Sequence, residues 1–181
     1  ILRKYNVLVS PHNSSNYTAL EDDSFVAVSD FHACRYPLDK VKNHYMNEYG
    51  KVFILGDATD RGNDGMGSNG IELLIEIMKL CKANPDKVVY IPGNHDEFLI
   101  GYIAKKHNLG NNFPLDYLAC LYRNGGENTL RDLKVLEKDN PDLFLELFNW
   151  LGNQPLQRKH VSNGQEYVFG HAMFNQSLYD M

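Results

Sequence analysis

The sequence has no cysteine pair, no long apolar run and no basic excess, and each lack closes off a class of protein. Its three cysteines, Cys34, Cys81 and Cys120, are odd in number and far apart, with no Cys-x-x-Cys spacing. That argues against a disulfide scaffold or a cysteine-based zinc site and reads as reduced, mostly buried thiols in a cytoplasmic protein. Cys34 sits near a candidate ligand group, but His and Asp beside it suffice to hold a cation. No stretch approaches the ~18 apolar residues of a membrane span, so no membrane partner is expected. Lys and Arg total 18 against 23 Asp and Glu, a net charge of −5. Such a balance gives no general attraction to nucleic acid, which is not expected as a stable partner and makes a nuclease role weak. A phosphate substrate stays open, because bound metal ions can reverse the field locally. There is no internal repeat or low-complexity segment, and Ile1–Ser10 lacks the pattern of a secretory leader.

What is present suits one α/β domain. Residues 1–23 are mixed and polar and read as an arm or added hairpin, with the domain proper over 24–181. Phe25–Val28, Lys51–Leu55, Val88–Ile91 and Tyr167–Phe169 are short apolar runs that read as buried strands. Between them, apolar residues at helical spacing predict helices over Pro37–Tyr49, Ile71–Ala83, Glu97–Lys106, Glu127–Leu136 and Pro141–Leu151. Asn63–Asn69 is Gly-rich and reads as a loop, and 107–125 gives no clear pattern. The alternation predicts an α/β layered fold with a mostly parallel core sheet and flanking helices.

In open α/β sheets the ligand site lies beyond the carboxyl ends of the strands. Each of the four strands ends in a residue able to bind a cation. Asp30 and His32 follow the first and, two apart in an extended chain, would point the same way. Asp57 follows the second and has two oxygens that can bridge two cations. Asn94 follows the third and His171 the fourth. Carboxylate, imidazole and amide oxygen together suit Mn, Fe or Zn better than Ca. Convergence requires the strands to be neighbours in one sheet. Each motif alone has a plainer reading: a surface Asp-x-His, a capped turn at 56–62 or at 93–96, a structural His171. Together, in this order, they are hard to obtain by chance.

Asp30-Phe31-His32, Gly56-Asp57-Ala58-Thr59-Asp60-Arg61-Gly62, Gly93-Asn94-His95-Asp96 and Gly170-His171-Ala172 resemble the calcineurin-like metallophosphoesterase superfamily. The Asp-Arg-Gly at 60–62 is similar to the phosphoprotein phosphatase branch, which includes protein Ser/Thr phosphatases and symmetrical diadenosine tetraphosphate hydrolases. Asn124-Gly125-Gly126-Glu127-Asn128-Thr129 resembles a block of the bacterial members. The resemblance implies a layered metallophosphoesterase sandwich and two metal ions. It puts Asp30 and His32 on the first ion, Asp57 on both, and Asn94 and His171 on the second. It gives His95 the role of general acid, Asp60 that of orienting it, and Arg61 that of clamping phosphate oxygens. The substrate implied is a phosphorylated protein or small phosphate ester, with a dinucleoside polyphosphate as the alternative.

Three departures stand out. Ser29 and Ala33 flank the first block where the branch has Gly. Asp96 stands where Glu is commoner. After His171, residues 172–181 contain no His or Arg, although the family supplies both in the region that follows. This leads us to expect a truncated piece of a longer enzyme. The other readings are a degenerate closing motif with Met173, a replacement ligand in His160, or an inactive metal- or partner-binding domain.

Overall fold

A computed structural model describes residues 7–9 (by backbone alone), 23–62, 69–109 and 115–171. The main sheet has the order β1-β2-β3-β4. β1 (Val7–Val9) runs antiparallel to β2 (Phe25–Ser29), while β2, β3 (Lys51–Leu55) and β4 (Val88–Ile91) are mutually parallel. Of the arm or hairpin expected over 1–23, only Val7–Val9 and Asp23 are among the described residues.

The helices cover one face. α1 (Arg35–Lys40), a π-helical turn (Val41–Tyr45) and α2 (Met46–Glu48) follow one another without a break, where one helix was expected. α3 (Gly70–Ala83) is capped by Asn69, whose side chain accepts the N–H groups of Ile71 and Glu72. The rest of the Gly-rich loop, 63–68, lies outside the described residues. α4 (Asn94–Lys106) begins three residues before the expected Glu97, for a reason given below. α5 (Tyr117–Arg123) falls in the stretch without a readable pattern, and α6 (Glu127–Asp139) and α7 (Pro141–Gly152) match their expected positions. No helix among the described residues is long and apolar enough to cross a membrane.

The strand near the end of the chain is not in the main sheet. It is β6 (Gln165–Gly170), paired antiparallel with β5 (Gln157–Ser162) in a separate two-stranded sheet. The two-residue turn, Asn163-Gly164, has positive φ at both positions (52° and 75°). Asn-Gly is the dipeptide that this hairpin geometry favours, and it marks β5 in the sequence. The expectation of four neighbouring strands in one sheet is therefore corrected: the hairpin packs across the face opposite the helices.

Strand alternation explains the layers. Val26, Val28, Val52, Ile54, Val88 and Tyr90 face the helices and are buried with Leu73, Ile77, Leu133, Phe144 and Leu147. Phe25, Ala27, Phe53 and Ile91 face the other way and are buried with Phe169 of β6. Phe53 stacks on Phe169 with ring centroids 3.9 Å apart, and Phe25 meets both rings edge-on. This aromatic layer fixes the hairpin, and with it the position of His171. His160 pairs with Tyr167 in the middle of the hairpin. Its Nε2 bonds the carbonyl of Asp23 at 2.8 Å and its ring packs on Phe25 and Phe53, so it does not serve as the replacement ligand.

Replacing Phe53 with Ala should cost about 3–5 kcal/mol, the range for truncating a buried aromatic. Urea denaturation of the two proteins measures it directly.

Candidate metal centre

The three parallel strands end level. Ser29 pairs with Leu55, and Leu55 with Ile91. Three loops therefore leave the sheet side by side. Backbone bonds tie the first to the second: Asp30 N–H donates to Gly56 O (3.3 Å), His32 N–H to Asp57 O (2.8 Å) and Ala33 N–H to Ala58 O (2.8 Å).

This arrangement demands unusual backbone. Asp30, His32, Ala33, Asp57, Asp60 and Arg61 all have positive φ, between 44° and 66°. An L-residue held there costs of order 1–3 kcal/mol, and such residues cluster at functional sites. Asp30 and His32 thus sit in a tight turn, not the extended chain expected of them. Their side chains still meet, with Asp30 Oδ1 3.6 Å from His32 Nε2.

The second and third loops lock together. Gly56 (φ 62°) approaches so closely that a Cβ on it would lie 2.1 Å from Gly93 N. Asp57 N–H donates to Asp96 Oδ2 (3.0 Å), and His95 N–H donates to Asp57 Oδ1 (3.0 Å). Asp96 Oδ2 also accepts from Gly93 N–H (2.8 Å) and the Tyr90 hydroxyl (2.7 Å). Asp96 therefore caps α4 as well as holding Asp57. That is why the helix starts early, and the capped-turn reading of 93–96 describes its backbone. The amino end of α4 faces the Asp57 carboxylate, a favourable place for negative charge. Burial raises the Asp96 pKa to about 6, although three donors on Oδ2 act the other way.

The donors converge in two overlapping groups, His32–Asp57–His95 and Asp30–Asp57–His171, each with its ligating atoms within 4.8 Å of one another. Asp57 belongs to both. Its Oδ2 lies 3.3 Å from His171 Nε2, 3.8 Å from His32 Nε2 and 4.0 Å from His95 Nε2. The grouping puts Asp30 with His171, where the sequence pairs it with His32. His32 Nδ1 bonds Thr59 O (3.1 Å) and His171 Nδ1 bonds Leu55 O (2.6 Å). In both rings this turns Nε2 toward the cluster, the orientation a cation needs. Asn94 opens α4 immediately before His95 and is half-buried. Cys34 is buried and belongs to neither group, and no disulfide forms among the described residues.

Around this cluster lie the other three candidates. His95, fully buried, donates from Nδ1 to Asp60 Oδ2 at 2.7 Å. Arg61 is exposed and reaches inward, donating from Nη1 to His32 Nε2 (3.2 Å) and from Nη2 to His95 Nε2 (2.8 Å). A cation on His32 needs that lone pair, so Arg61 must turn outward to admit one. Met173 lies outside the described residues.

Residues 24–179 match the calcineurin-like phosphoesterases. The chain belongs to that family. It is 26% identical over 147 residues to the symmetrical bis(5'-nucleosyl)-tetraphosphatase of Proteus mirabilis (strain HI4320), an alignment covering 80% of the chain and 42% of the relative. The chain thus spans less than half the length of that relative.

The charges make two predictions. Burial alone would lower the His171 pKa, but its bonds to Asp57 and Leu55 and the charges of Asp57 and Asp30 outweigh it and raise it from 6.5 to about 9. A raised pKa stabilises the fold fully below the unfolded value, and the gain is lost as pH rises through the folded one. Chelator-treated phosphoesterase should therefore lose stability between pH 6.5 and 9. The loss should be absent in His171→Asn, as read by denaturation at each pH. Asp96→Ala leaves two buried N–H groups and a buried hydroxyl without their acceptor. It should cost about 3 kcal/mol or more by the same measurement.

Proposed function

We propose that the chain is a dinuclear metal-dependent phosphoesterase acting on phosphate monoesters, in the manner of a protein Ser/Thr phosphatase. The observation that carries this is the sharing of one buried carboxylate, Asp57, by two overlapping donor groups. The donors fit metal ions. Carboxylate oxygens and imidazole Nε2 atoms converge, and the ring orientation is already fixed by carbonyls. In this reading the two groups share Asp57 as the bridge, while the other donors follow the family resemblance and not the grouping: Asp30 and His32 hold one ion and Asn94 and His171 the other, with Mn, Fe or Zn the suitable metals. Two such ions would supply Lewis-acid stabilisation of phosphate oxygens and a water activated near neutral pH.

The chain's own residues do the rest. His95, with Nδ1 committed to Asp60, is oriented to give a proton from Nε2 to the leaving oxygen. Asp60 keeps that ring in the required tautomer and stabilises it when it is charged. Arg61, on the outer side of both imidazoles, offers a planar fork of donors to phosphate oxygens. Retention of this trio argues against an inactive binding domain, which needs no proton donor.

A second reading changes only the substrate. The relative's name is that of a hydrolase of dinucleoside tetraphosphates, which favours a dinucleoside polyphosphate. The motifs bind the phosphate and say nothing of what is attached to it.

Assaying a phosphopeptide and diadenosine tetraphosphate side by side separates the two. Release of phosphate from the peptide alone supports the first reading, and release of nucleotide the second. Asp57→Asn should abolish both metal binding and turnover. His95→Asn should retain metal and lose about 100-fold or more in kcat, least on substrates with good leaving groups. Loss of metal in His95→Asn would contradict the role given to His95.

A further inference from the structure

We propose that the turn between α5 and α6 is the positioning element for the Asp60–His95 pair and for Arg61, acting through the Thr129 hydroxyl and the Gly125 carbonyl. This rests on the proton-donating role given above to that pair. Asp60 and Arg61 are consecutive residues with φ of 66° and 56°, a conformation that neither favours by itself. Something must hold both N–H groups in place. Thr129 Oγ1 accepts the N–H of Asp60 at 3.1 Å, from 69 residues away, and Gly125 O accepts the N–H of Arg61 at 3.0 Å. Thr129 is only 2% exposed, so water cannot readily replace it if its hydroxyl is removed.

The side chain of Asp60 is seated from the same turn. A Cβ on Gly126 would lie 3.1 Å from Asp60 Oδ1 and 2.9 Å from Leu121 O. The missing side chain at 126 thus leaves just the room the carboxylate occupies. Asp60 Oδ1 is buried with no hydrogen-bond partner. Apart from the bond to His95, the carboxylate's direction is set by its backbone and by this wall. Gly125 itself adopts φ 79° and packs on the Arg61 backbone, where a side chain would be strained. The Gly-Gly-x-x-Thr spacing therefore has a physical purpose. Two glycines let the turn approach Asp60 and Arg61, and the first turn of α6 brings Thr129 back under Asp60. Neither Thr129 nor Gly125 touches the reacting atoms in this scheme.

The test uses the full chain in three variants. Thr129→Val keeps the shape and removes the acceptor, Thr129→Ser restores it, and Gly126→Ala presses on Asp60 from the other side. The first readout is the proton NMR resonance of His95 Nδ1–H, which its 2.7 Å bond to Asp60 should move downfield. Thr129→Val and Gly126→Ala should move it upfield or broaden it, and Thr129→Ser should leave it in place. The second readout is turnover. Thr129→Val should lower kcat about 10-fold on phenyl phosphate but less than about 2-fold on p-nitrophenyl phosphate, whose leaving group needs little protonation. Its metal content should not change. His95→Asn is the control: if it shows no leaving-group dependence, the acid assignment fails, and the proton resonance alone decides the positioning role. A folded Thr129→Val with the His95 resonance and the leaving-group dependence of the unaltered protein overturns the inference. If Thr129→Val does not fold, a folded Gly126→Ala with both readouts unaltered does the same.

Discussion

The loops after β3 and β4 exchange carboxylates, and the rest of the centre depends on that exchange. Asp57 takes the N–H of His95, while Asp96 takes the N–H of Asp57. Two neighbouring loops can be locked this way only if their backbones nearly touch, and Gly56 and Gly93 permit the contact. The lock sets the direction of Asp57, the start of α4 and the depth of His95 in one stroke. Tyr90 joins it from beneath, carrying the packing of the helical layer up to the Asp96 carboxylate.

The centre is costly to build. Six non-glycine residues around it hold left-handed backbone, and Asp57, Asp60, Asp96, His32 and His95 are all buried polar groups. Burial of charge is tolerated where partners are supplied, and here each has a hydrogen bond. The stability comes from elsewhere: the helical layer on one face of the sheet and the aromatic layer of Phe25, Phe53 and Phe169 on the other. Scaffold and site are thus divided along the strands. Apolar residues fill their length, and polar residues begin where pairing stops.

That division is legible in the sequence. Asp30, Asp57 and Asn94 each follow an apolar run of the main sheet, and a strand end is where an α/β sheet gathers side chains from distant parts of the chain. His171 also follows an apolar run, but that run belongs to the separate hairpin. What escaped reading depends on contacts between segments. The second sheet was missed because Gln157–Ser162 is polar and half-exposed, with only Asn163-Gly164 to mark the hairpin. The left-handed turn at Asp30–Ala33 was missed because Ser29 and Ala33 carry no glycine signal. The early start of α4 was hidden because Asp96 bonds backward to Gly93 and across to Asp57, and only the folded chain brings these together. Thr129 could be seen as part of a motif but not as a partner of Asp60, since no local pattern links residues so far apart.

In the proposed function Asp57 serves two metal ions at once. The most direct test is electron paramagnetic resonance of the chain titrated with Mn²⁺. At saturation the spectrum should be that of an exchange-coupled pair, and Asp57→Asn should remove the coupling. A spectrum of isolated ions at full loading, unchanged by Asp57→Asn, would contradict the account.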